Sequence, residues 1–162
     1  MFYINLLELY FKKYTRIVQA SDYVDWAYHH IKSDIIEVKK LASMSIKKPL
    51  NIFEIEEMFA GVMKALQQDE PSKEQCFDYH INQIHSQLLL PNSNALSIVK
   101  EIYTFTIQHE LYEQQMNWQE ISDLIDDYQY GDNYNEYTMD KIYEIIGDHA
   151  RRIWIQKKTS NF

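Results

Sequence analysis

The chain has 162 residues, 46% hydrophobic and 25% charged, with a net charge of −8. That length buries a core without staples, and that charge is wrong for gripping a phosphate backbone. One cysteine, Cys76, excludes an internal disulfide and a multi-cysteine zinc site.

Only 3 Gly and 3 Pro stand against 13 Tyr. Sheet proteins need Gly and Pro at their turns and disordered chains are poor in aromatics, so the composition predicts an all-α fold. The apolar runs are far shorter than a membrane span, and no basic segment followed by an apolar core opens the chain. The expectation is therefore a cytoplasmic protein without membrane contact.

Apolar residues at helical spacing predict a first helix over residues 3–19, carrying Leu6, Leu7, Tyr10, Phe11, Tyr14, Ile17 and Val18. Ser21 caps a second helix that continues through Ile35 and Val38 to Leu41. After Lys47, Lys48 and Pro49, Asn51 and Glu54 form a capping-box pattern ahead of a third helix ending near Leu66. Ser72 and Gln75 repeat the pattern ahead of a helix with Phe77, Ile81, Ile84 and Leu88, and Cys76 beside Phe77 reads as a buried thiol.

A polar turn at Pro91 to Asn94 leads into a helix from Leu96 to Leu111. Asn117 and Glu120 open the next, with Ile121, Leu124, Ile125 and Tyr128 inward and Gly131 as its stop. Thr138 starts the last helix, through Ile142 and Ile146 to Trp154. The sum is a single-domain irregular bundle of six to seven helices over 1–156, with a flexible tail over 157–162.

Ligand chemistry finds little support. His80 and His85 are five apart, one step off the spacing that aligns two imidazoles on a helix, and His29 and His30 point in different directions. No Glu-x-x-His pair, Gly-rich phosphate loop or Gly-x-Ser-x-Gly elbow occurs. The expectation is no catalytic residue, no metal and no cofactor. Glu54 with Glu57, and Glu120 with Asp123, do form two pairs that align carboxylates along a helix. They resemble the Mg²⁺-holding pairs of all-α nucleotide pyrophosphohydrolases, and a small Mg²⁺-dependent nucleotide hydrolase is the alternative this resemblance implies. Glu54 and Glu120 also suit helix starts, where negative charge is favourable.

The charge pattern is more informative. Between Glu101 and Asp148 there are twelve acids and one base, Lys141, hence eleven net negative charges; the rest of the chain is net +3. Within this span, residues 126–137 interleave acids with Tyr128, Tyr130, Tyr134 and Tyr137. Folding does not require such repulsion, whereas a docking surface for a basic protein uses both the field and the rigid aromatic rings. Asp123, Asp126, Asp127, Asp132 and Glu136 are the candidate steering charges. Tyr130, Tyr134 and Tyr137 are the candidate anchors.

The stretch from Asn117 to Tyr137 resembles the acidic-aromatic face of the small helical immunity proteins that bacteria make against nuclease toxins. The resemblance implies an inhibitor that occludes a basic toxin. The net charge separately argues against direct nucleic-acid binding, and the oligomeric state is left open between monomer and homodimer. A nucleic-acid mimic is a further alternative, and it would need an even row of carboxylates rather than tyrosines.

Overall fold

A computed structural model describes residues 2–91 and 94–160, with side chains described over 6–91 and 94–159. Among these residues the chain is all-helical, with no strand. Eight α-helices follow in order: α1 (Phe2–Tyr14), α2 (Ala20–His29), α3 (Ile36–Ser43), α4 (Ile52–Leu66), α5 (Lys73–Gln87), α6 (Ala95–Gln108), α7 (Tyr112–Tyr130) and α8 (Met139–Ser160). The packing divides into two compact units, 1–80 and 81–162, and α5 contributes its first half to one and its second half to the other.

The helix starts show why these segments form. Asn51 Oδ1 accepts from the Phe53 amide at 3.0 Å and caps α4. Ser72 and Gln75 complete a reciprocal box: the Ser72 amide donates to Gln75 Oε1 at 2.8 Å, and the Gln75 amide donates to Ser72 Oγ at 3.1 Å. Each such bond satisfies a helix-end donor that has no partner within the helix, an effect worth about 1 kcal/mol.

The first unit packs α2, α3 and α4 together and sets α1 against α2. Phe59 is its hub, meeting Tyr23 at 5.0 Å, Trp26 edge-on at 5.5 Å and Tyr10 at 6.1 Å between ring centroids. Tyr23 is buried, yet its hydroxyl donates to Glu56 Oε1 at 3.0 Å. Burial and that carboxylate push its pKa well above the usual tyrosine value; Tyr10 is raised for the same reasons, with Glu70 beside it. Cys76 is fully buried, and desolvation pushes its thiol up to about 11.

The second unit is a core of Ile84, Val99, Ile102, Trp118, Ile125, Ile142, Ile146 and Ala150, drawn from α5 to α8, with Leu88 just past the end of α5. These positions recur at helical spacing, so each helix contributes a single apolar stripe.

The element boundaries differ from the sequence expectation in several places. α2 begins at Ala20 with Gln19 as its N-cap, so Ser21 lies inside the helix and is no cap, and α6 stops at Gln108, short of Leu111. The second predicted helix is two, α2 and α3, because the chain turns between His30 and Ile35; this raises the count to eight. The first stops at Tyr14, where Arg16 adopts a left-handed φ of 60°, and Ile17 is left 60% exposed. α7 begins at Tyr112, five residues before Asn117, so Asn117 lies within it and is no cap. α8 continues through Gln156 to Ser160. The turn expected at Pro91 to Asn94 includes Asn92 and Ser93, which lie outside the described residues, as do residues 161 and 162 of the expected tail.

Candidate functional site

α7 ends in a way that concentrates negative potential. Its last turn carries no basic residue, and unsatisfied carbonyls at a helix C-terminus already amount to a partial negative charge. Asp126 and Asp127 add carboxylates to that end, with Asp123 about one turn before them; Asp123 and Asp126 are exposed and Asp127 is half-buried. Such placement opposes helix stability by a few tenths of a kcal/mol per charge or more.

One cation relieves it. Lys100 on α6 reaches across to α7, with Nζ 2.6 Å from Asp126 Oδ1, and donates to Ser122 Oγ at 2.9 Å and the Ser122 carbonyl at 3.1 Å. Lys100 is one position before the acidic span, so counting charge along the sequence leaves it out. Spatially it belongs to the site.

The turn that follows is tied to itself. The Gly131 amide donates to the carbonyls of Asp126 at 3.2 Å and Asp127 at 3.0 Å, closing α7. Asp127 Oδ2 accepts from the Tyr134 amide at 3.1 Å. Asn133 holds both backbone groups of Tyr137: Nδ2 donates to its carbonyl at 2.9 Å, and Oδ1 accepts from its amide at 3.0 Å. Asn133 takes a left-handed φ of 46°, a conformation Asn tolerates better than most residues. Thr138 Oγ1 then accepts from the Lys141 amide at 3.2 Å and starts α8 as expected.

The residues singled out from the sequence divide accordingly. Tyr130 is 84% exposed and Tyr134 89%, on either side of the closure at Gly131. Asp132 and Glu136 are exposed between and beyond them. Tyr137 is different: it is half-buried and packs against the core of the second unit, as Tyr128 does. Its ring helps hold the turn in place. Asp127 is likewise a scaffold residue, since its carboxylate and its carbonyl both hold the turn.

The carboxylate pairs of the hydrolase alternative are exposed on their own helices, Glu54 and Glu57 on α4 and Glu120 and Asp123 on α7. Lys47 Nζ lies 3.1 Å from Glu54. Among the described residues, no group of three or more His, Cys, Asp or Glu side chains is arranged to hold a metal ion, and no helix is long and apolar enough to cross a membrane.

A separate cleft in the first unit is lined by Glu8, Leu9, Lys12, Asp22, Asp25, Trp26 and His29. Lys12 bridges to Asp22 at 2.7 Å, and Asp22 also accepts from the Gln19 amide at 2.7 Å to start α2. These interactions are those of a helix start, and the α7–α8 turn remains the stronger candidate site. No protein-family model matches the chain, and no curated protein or solved structure is detectably similar to it.

Proposed function

We propose that the chain is a protein-binding inhibitor that neutralises a basic, nuclease-type bacterial toxin by occluding it, with the α7–α8 turn as the docking face. The observation that carries this reading is the exposure of Tyr130 and Tyr134, at 84% and 89%, on a turn whose backbone is held by Asp127 and Asn133. Two large rings held out in water gain the fold nothing. On a pre-ordered turn they offer contact area at little entropic cost.

The electrostatics suit the same partner. Asp123 on α7 and Asp132 and Glu136 in the turn are all exposed, and the helix end adds its own partial charge. Lys and Arg of a partner would be drawn in by this field, which raises the association rate. The rings would then slow dissociation. No chemical step is involved.

The test is capture from the native host with the tagged chain, at low and at moderate salt, followed by kinetics on the partner recovered. The expected result is one basic protein, bound one to one. Tyr130→Ala with Tyr134→Ala should raise its dissociation rate by about tenfold or more. Asp123→Lys with Asp132→Lys should mainly slow association and flatten its salt dependence. Binding that is indifferent to all four substitutions would remove the turn from the interface, and recovery of the chain alone would end the inhibitor reading.

A further inference from the structure

The second unit contains a device that the docking face does not use. His85, on α5, is fully buried. Its Nε2 lies 2.9 Å from the carbonyl oxygen of Ala150 on α8. A carbonyl only accepts, so Nε2 carries the proton and Nδ1 is the lone-pair nitrogen of a neutral ring. That Nδ1 is itself buried and has no hydrogen-bond partner among the described residues. The ring stands edge-on to Trp118 of α7 at 5.5 Å and to Trp154 of α8 at 5.7 Å.

A second imidazole touches the same tryptophan. His149 on α8 is half-buried, lies 4.9 Å from Trp118 between ring centroids, and donates Nε2–H to the carbonyl of Asn117 on α7. The two histidines thus hold α5 to α8 and α8 to α7, with Trp118 between them. The charged and titratable groups that face them are mostly cationic. Lys157 and His149 face His85; Arg152 and Glu120 face His149.

We propose that this cluster is an acid-sensitive latch: protonation of His85 at Nδ1 and of His149 opens the second unit at the α5–α8 and α7–α8 contacts. A proton added to His85 Nδ1 would be a donor without an acceptor, on a cation enclosed by two indole rings. Burying such a group uncompensated is costly, and the alternative is for the helices to part and admit water. Lys157 and Arg152 oppose the added charge, while Glu120 and the carbonyls of Ala150 and Asn117 favour it and are outweighed by burial. Burial holds both histidines below the ordinary 6.5, in keeping with the geometry.

The latch needs no partner, so the intact chain alone tests it, whatever the fate of the docking face. Near-UV circular dichroism and tryptophan emission would be followed from about pH 7.5 to about pH 5, with nitrogen-15 NMR of the histidine side chains alongside. The expected result is a cooperative loss of the tryptophan signals below the ordinary histidine pKa. The opening equilibrium should change by up to about a hundredfold per pH unit, tenfold for each histidine.

At the starting pH, His85 should show the Nε2–H tautomer, and it should take up a proton only as the unit opens. His85→Gln with His149→Gln keeps a donor at each position and removes the titration, so its transition should fall by at least about one pH unit. A wild-type chain whose tryptophan signals persist unchanged to about pH 5 overturns the proposal. So does a double variant with an unshifted transition. Should the double variant not fold, the wild-type NMR decides: a His85 that titrates near 6.5 within an intact spectrum overturns the latch.

Discussion

Gly131 has a φ of −98°, ordinary for any residue, so no left-handed conformation calls for glycine there. Space does. A Cβ at this position would stand 2.6 Å from Asp127 Oδ1 and 3.0 Å from both the Cα and the carbonyl oxygen of Asp127. Gly131→Ala should therefore push the Asp127 carboxylate off the Tyr134 amide and strain the helix end. The expected loss is about 1–3 kcal/mol in urea unfolding, with faster hydrogen exchange at the Tyr134 amide. An alanine variant as stable as the parent would mean that Asp127 does not hold the turn. The sequence marks Gly131 as a helix stop, which it is. The close approach of the Asp127 side chain, the reason for glycine at this point, is a three-dimensional fact with no local signature. The same limit applies to the tyrosines. Period and composition mark Tyr128, Tyr130, Tyr134 and Tyr137 alike, and only the path of the turn decides that two are held out while two are packed.

At the scale of helices, α7 carries acids at the end where its dipole favours bases. Gln129 is exposed in that last turn, which gives a substitution with opposite effects on stability and binding. Gln129→Lys should stabilise α7 by about 0.3–1 kcal/mol through the dipole and the nearby acids. It should also slow association with a basic partner several-fold at low salt. Urea titration and stopped-flow kinetics read the two effects separately, and a variant that gains on both counts would contradict the proposed role of the field. Helix starts were legible in proportion to how local their bonds are. The Ser72–Gln75 box spans three residues and is found as read. Asn117 fits the same pattern, but α7 begins at Tyr112 and the Asn117 carbonyl is taken by His149, 32 residues away. The break between α2 and α3 leaves no sequence signal, because Ile31 and Ile35 keep the apolar period going. Ile31 is 42% exposed and Ile35 immediately precedes α3.

For the whole molecule, the titratable groups set two limits of pH. Histidines held below their ordinary value contribute stability that is complete above 6.5 and declines as pH falls beneath it; His85 and His149 place most of this in the second unit, and buried His30 adds a share to the first. Tyr10 and Tyr23 are raised, so their contribution is complete below 10 and declines as pH rises past it, and both lie in the first unit. Alkaline unfolding should therefore begin in the first unit. Hydrogen exchange followed by mass spectrometry should show protection lost in α1 and α2 before α6 and α7, and the reverse order would contradict the assignment. The all-helical class was readable from composition because scarce Gly and Pro leave little else to build; the division into two units was not, since α5 runs through the boundary without a linker. The turn between α7 and α8 has a consequence for how such a chain changes over generations. Asp127, Gly131, Asn133 and Tyr137 hold its shape, whereas Tyr130, Asp132, Tyr134 and Glu136 present their side chains to solvent. Because the two sets alternate along one short segment, mutation can rewrite the second while the first keeps the backbone as it is. A lineage can then change the exposed face of the turn without refolding.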